Sequence, residues 1–136
     1  MNNRHDQKGF TFLWVIVAIA ILSVGLLAVS EVWVTTARRQ KLAELDWIGA
    51  QFTQAIGSYY YATPAVNKTY PPSMEDLIED HRYLSIRRHL REIYRNPFTG
   101  AADWQLVMSP GGGIVGIRAH IPSDSGDWAK EFVFEP

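Results

Sequence analysis

The chain has 136 residues, enough for one domain but hardly for two. A net charge of −1 leaves no surplus of Lys and Arg to neutralise phosphates, so no nucleic-acid partner is expected. Cysteine is absent, which excludes disulfides and thiol-based metal or nucleophile chemistry.

The N-terminus is the most informative segment. Met1–Gly9 is short, polar and basic, and the run FTFLWVIVAIAILSVGLLAV from Phe10 to Val29 then carries no charge. At 1.5 Å per residue such a helix is about 30 Å long, the thickness of a bilayer's hydrocarbon core. A buried core helix is the bland alternative, but so short a chain has too little structure to wrap an apolar cylinder on every side. A cleaved secretory signal is disfavoured because Glu31-Val32-Trp33 offers no small-x-small site. The sequence therefore predicts a membrane-spanning helix over residues 10–34. Charge alone leaves its direction open: Arg4 and Lys8 precede it, and Arg38, Arg39 and Lys41 follow.

Helical periodicity continues beyond the span. Leu45, Ile48, Phe52, Ile56 and Tyr59 recur at three- and four-residue steps, predicting one helix that ends near Tyr61, before Pro64. Gly25, Gly49 and Gly57 are weak points in its propensity. A loop over residues 62–72 ends in Pro71-Pro72, and Ser73-Met74-Glu75-Asp76 reads as a helix start with Met74, Leu77 and Ile78 facing inward. His81 to Tyr94 is expected to add two or three helical turns whose arginines (Arg82, Arg87, Arg88, Arg91, Arg95) form a solvated face. An anionic lipid surface or an acidic neighbour is the functional alternative for that face. Asn96-Pro97-Phe98-Thr99-Gly100 is a turn. The period then becomes two: Trp104, Leu106 and Met108 mark a first strand, Ser109–Gly113 a glycine-rich connection, Ile114–Ile121 a second strand and Phe132-Val133-Phe134 a third. The expected fold class is α+β, a long N-terminal helix packed on a C-terminal antiparallel sheet of about three strands.

The junction Lys8-Gly9-Phe10-Thr11, followed at once by the apolar helix, resembles the leader of prepilins. The order long helix, connecting loop, antiparallel sheet is similar to the architecture of type IV pilins and type II secretion pseudopilins. Tyr70-Pro71-Pro72, the Asn96–Gly100 turn, Asp103-Trp104 and Gly111–Gly116 resemble segments of the protein G-like pseudopilins. This resemblance implies cleavage by prepilin peptidase between Gly9 and Phe10, and N-methylation of Phe10. It also implies a cytoplasmic leader (1–9), an inner-membrane span (10–34) and a periplasmic pilin-like domain (35–136). Its implied partners are prepilin peptidase, other pilin-like subunits, an inner-membrane assembly platform and membrane lipid. One position departs from the pattern. The fifth residue after the cut is normally glutamate, whose carboxylate pairs with the terminal amine of a neighbouring subunit, and here it is Trp14. Trp14 fits either a minor subunit that works without that acceptor or a tolerated variant whose indole fills space between helices.

Little else points to chemistry. His5, His81, His89 and His120 lack metal-ligand spacing and read as leader, surface or capping residues. Asp124 and Asp127 are the nearest approach to a calcium site, but two acids do not fill six to eight oxygen positions, and a solvated turn with no cofactor is expected. The expected function is structural, not enzymatic: a subunit of a secretion pseudopilus or pilus-like filament. The alternative is a single-pass protein with a periplasmic binding domain that never assembles.

Overall fold

The computed structural model describes residues 7–64, 67–123 and 126–136. The elements in chain order are α1 (Gln7–Ala62), α2 (Glu75–Ile78), β1 (Gln105–Met108), β2 (Ile114–Ile121) and β3 (Trp128–Val133). Two compact units divide the chain, residues 1–40 and 41–136.

The described part of the first unit is helix. Phe12, Leu13, Trp14, Val15, Ile16, Val17, Ile19, Ile21 and Leu22 are all exposed, and consecutive positions cover every face of an α-helix. Among the described residues no helix is long and apolar enough to cross a membrane. The span expected over 10–34 includes residues 24–32, whose side chains lie outside the described residues. The apolar stretch that is described, residues 11–23, is shorter than the ~20 residues that a bilayer core requires.

The second unit is a helix packed on a three-stranded antiparallel sheet of order β1-β2-β3. All five stripe residues of α1, from Leu45 to Tyr59, are buried, and they share one core with Leu77, Leu90, Trp104, Ile114, Ile117, Ala119 and Ile121. Phe52 lies at the centre, 5.4 Å from the Trp104 ring and 6.3 Å from the Tyr94 ring. Strand β2 has the bounds expected of it, and β3 begins earlier than the expected third strand, although Phe134 still donates its N–H to Val115. The β1–β2 hairpin closes through Gly112 and Gly113, both at positive φ (85° and 86°), a conformation that side chains other than glycine rarely adopt. Register shifts between Val107 and Met108, and of the apolar residues expected along the first strand only Trp104 is buried; Leu106 and Met108 are exposed.

The helical turns expected from His81 to Tyr94 do not form. α2 stops at Ile78, and Asp80 pairs with Arg87 in an isolated antiparallel bridge. Ile86, Leu90 and Ile93 imitate helical spacing, but the backbone N–H groups of His89 and Leu90 both donate to the Leu77 carbonyl at 2.8 Å, which ties this segment to α2 instead. The N-cap of α2 is Met74, with no side-chain cap hydrogen bond, and not Ser73 as the sequence suggests; Ser73 Oγ still accepts from the N–H of Asp76 at 3.3 Å from one position further out.

Gly49 and Gly57, costly for helix propensity, have a packing reason. A Cβ on Gly49 would stand 2.3 Å from the Phe132 ring, and one on Gly57 would stand 2.7 Å from the Phe134 ring. Their lack of side chains lets β3 approach α1. Residues 35–136 should fold alone as a soluble α+β domain, checked by circular dichroism and sedimentation. Within that fragment Gly49→Val should lose about 1–3 kcal/mol in urea unfolding through overpacking, whereas Gly111→Ala, which meets open space, should lose far less.

Candidate functional site

Two places concentrate chemistry. The first is the N-terminal helix. Gly9 and Phe10 lie within α1, and the side chain of Phe10 is outside the described residues. Trp14 lies one helical turn further along and is 61% exposed. Its indole has an N–H to donate and no charge, so it cannot compensate an ammonium group as a carboxylate would.

The second place is a buried ion cluster where the α2 segment meets the end of α1. The Asp80 side chain is 1% exposed. Arg82 donates to it three times: Nε to Oδ1 at 2.9 Å, Nη2 to Oδ2 at 2.7 Å, and the backbone N–H to Oδ1 at 3.0 Å. His89 Nε2 lies 3.1 Å from Oδ2, and its Nδ1 is 2.8 Å from Ser58 Oγ on α1. Two further Arg82 donors go to Thr63 Oγ1 at 2.8 Å and to the Tyr59 carbonyl at 3.1 Å. The guanidinium also stacks 3.5 Å from the centroid of the Tyr59 ring. Among the described residues every buried side-chain polar atom has a partner.

The cluster's electrostatics follow from this geometry. The Arg82 hydrogen bonds hold the Asp80 carboxyl well below the usual carboxylate range; burial opposes them, and His89 assists. The same pairing raises Arg82. Burial raises the Tyr59 phenol, against the neighbouring Arg82 charge. Ser58, His89 and Asp80 do line up as hydroxyl, imidazole and carboxylate, a grouping the sequence did not predict, with Nδ1 toward the serine and Nε2 toward the aspartate. The carboxylate is at the same time held by three Arg82 hydrogen bonds, so the cluster has a structural role whatever else it does. It is a clamp that fixes the α2 segment to the end of α1.

Sequence reasoning placed Arg82 on a solvated face and read His89 as a surface or capping residue. The structure corrects both, since the His89 side chain is only 4% exposed and Arg82 faces inward. Asp80 carried no expectation. Its only local signal is Asp80-His81-Arg82 after the apolar pair Leu77-Ile78; its other side-chain partner, His89, lies nine residues downstream, and the further partners of Arg82 lie some twenty residues upstream. Of the calcium candidates, Asp124 lies outside the described residues. Asp127 is exposed, its Oδ2 3.4 Å from His120 Nε2. Among the described residues no group of three or more His, Cys, Asp or Glu side chains could hold a metal ion.

Residues 4–30 match the family model of the prokaryotic N-terminal methylation motif, and the chain therefore carries the prepilin-type signature of type IV pilins and pseudopilins. That motif supports a pilin-like protein processed by prepilin peptidase. No curated protein and no solved structure matches the chain.

The clamp sets a pH dependence. A carboxyl whose folded pKa is depressed contributes stability above its unfolded pKa, and the contribution fades as pH falls through that value towards the folded one. Unfolding free energy of the wild-type domain should therefore drop below about pH 4. Asp80→Ala, which strands Arg82 without its partner, should cost about 3–5 kcal/mol at neutral pH and flatten that acid limb. Urea titrations at several pH values would measure both.

Proposed function

We propose that this protein is a minor structural subunit of a type II secretion pseudopilus or a type IV pilus-like filament. In this reading it waits in the inner membrane as a single-pass protein, leader in the cytoplasm and residues 35–136 in the periplasm. Prepilin peptidase processes it, and an inner-membrane platform then assembles it with other pilin-like subunits. The observation that carries the reading is the methylation motif at residues 4–30, with Lys8-Gly9-Phe10-Thr11 leading straight into a charge-free run. Exposure of apolar side chains on every face of residues 11–22 supports it: such a surface needs lipid or other apolar helices around it.

Maturation gives the direct test. The mature protein should begin at Phe10 with a methylated amine, read by intact-mass and N-terminal peptide spectrometry. Chains that keep Met1–Gly9 in cells with an active prepilin peptidase would sink the proposal, and the single-pass protein that never assembles would take its place.

The minor role rests on Trp14. Every interior subunit of a filament needs an acceptor for the amine of a neighbour. A homopolymer of this chain would bury a row of unpaired amines in the apolar core, at about 2.5–3.5 kcal/mol or more for each charge. Glu31 is no substitute, lying ~25 Å further along the helix axis. Expressed with the assembly machinery but no other pilin-like subunit, the wild type should give no long filaments in sheared fractions. Trp14→Glu should gain incorporation along the shaft when a glutamate-bearing subunit is supplied. Long wild-type homopolymers under electron microscopy would reduce Trp14 to ordinary packing.

A further inference from the structure

The segment following α2 is held more firmly than an irregular surface loop requires. Asp80 and Arg87 exchange backbone hydrogen bonds in both directions, at 2.9 and 3.4 Å, which closes the loop 81–86 at its base. From inside the loop Arg82 reaches back to Asp80 and Thr63, and the Tyr83 hydroxyl donates to the Ala62 carbonyl. What this frame presents outward is apolar: Leu84 is fully exposed and Ile86 is 60% exposed. A lone exposed leucine would need no explanation. Here two large apolar side chains stand on a loop closed at its base and tied inward through Arg82 and Tyr83, which lowers the ordering entropy left to be lost on contact. Positive charge flanks them. The Arg87 guanidinium lies 4.1 Å from the Tyr83 ring centroid, beside the tip, and Arg91 and Arg95 follow on the exposed surface.

The surface this loop fits is an apolar recess with an acidic rim, and the same unit carries one. A recess of about 300 Å³ is lined by Glu75, Asp76, Ile78, Glu79 and His81. Ile78 supplies its apolar part, and three carboxylates surround it. A basic apolar projection and an acidic apolar recess adjoining on one domain are the ingredients of an isologous pair, in which each copy gives its loop and receives the other's. We propose that the loop 81–86 docks on a second copy of this chain, Leu84 entering the recess beside Ile78 while Arg87 and Arg91 meet Glu75 and Asp76 at its rim. An anionic bilayer would attract the same arginines, but it would repel Glu75, Asp76 and Glu79 immediately beside them. The contact is small, which makes it a transient association rather than a permanent dimer. It does not depend on the filament reading.

Native cysteine is absent, so disulfide trapping is free of background. Full-length Leu84→Cys chain would be mixed with full-length Ile78→Cys chain in non-ionic detergent micelles and mildly oxidised. The 84–78 heterodimer is expected to predominate over the 84–84 and 78–78 species. Arg87→Glu added to the first chain should abolish it, and Glu75→Arg added to the second should then restore it. Should Ile78→Cys lose the native circular dichroism spectrum, Glu75→Cys, at an exposed position, replaces it, with Asp76→Arg then as the restoring change. No heterodimer from folded chains, a dominant 84–84 species, or trapping indifferent to charge reversal would overturn the proposal. So would a fluorophore on Leu84→Cys whose emission shifts with the phosphatidylglycerol content of nanodiscs while no heterodimer is trapped, which would assign the loop to a lipid surface.

Discussion

The contact between one stripe of α1 and the inner face of the sheet is the constraint under which the folded unit is built. An isolated small sheet is marginal in water, and β1–β3 gain their stability by covering Leu45, Ile48, Phe52, Ile56 and Tyr59. Each large side chain buried there is worth about 1.5–3 kcal/mol in transfer terms. The connections are then shaped by what that contact leaves over. Trp104 fills the space beside Phe52 only because its indole N–H finds the Tyr94 carbonyl at 2.8 Å. Fully buried Asn96 is tolerable because its amide donates to the His120 carbonyl at 2.9 Å and accepts from the Phe98 N–H at 3.0 Å. Ile114 donates to the Pro71 carbonyl, which ties buried Pro71 to the start of β2.

What was legible in the sequence follows from period and turn chemistry. The α1 stripe has a strict three-four rhythm, and β2 lies between a glycine-rich turn and Pro122, so both could be read locally. The arginine-rich stretch could not. Arginine is a good helix former and Ile86, Leu90 and Ile93 are helically spaced, yet three long-range demands prevail: the pairing of Asp80 with Arg87, the double donation to Leu77, and the burial of Arg82 against Tyr59. A buried carboxylate leaves no periodic trace, so Asp80 was silent, and with it the role of His89. At the N-terminus the legible part was a motif, a pattern read by an enzyme before assembly and not by the fold.

Gly49 and Gly57 show how the two levels trade. Local propensity counts each as a loss of about 1 kcal/mol against alanine. The Phe132 and Phe134 rings occupy the space that a Cβ would take, so the loss is offset by bringing an edge strand within contact of the helix. The same two rings, with Ala50, Thr53 and Tyr61, line an open groove along α1, so the close approach leaves apolar surface at its margin.

Why an ion cluster stands at Asp80, where apolar residues of similar volume would do, is a question of geometry more than of energy. Desolvating a carboxylate and a guanidinium cancels much of their attraction, and such pairs are often replaceable without loss of stability. A packed apolar substitute would hold the end of α1 near α2 but would leave the intervening backbone free to choose its path. Asp80 accepts from the side chain and backbone of Arg82 and from His89, while Arg82 continues to Thr63 and Tyr59. Directional bonds in three directions fix the exit of the chain from α2, the closure at Arg87, and hence where Leu84 and Ile86 emerge. Non-directional packing could not specify that. The depressed Asp80 pKa is the thermodynamic signature of this arrangement: the charge is held because the donors around it were placed by the fold before any partner is met.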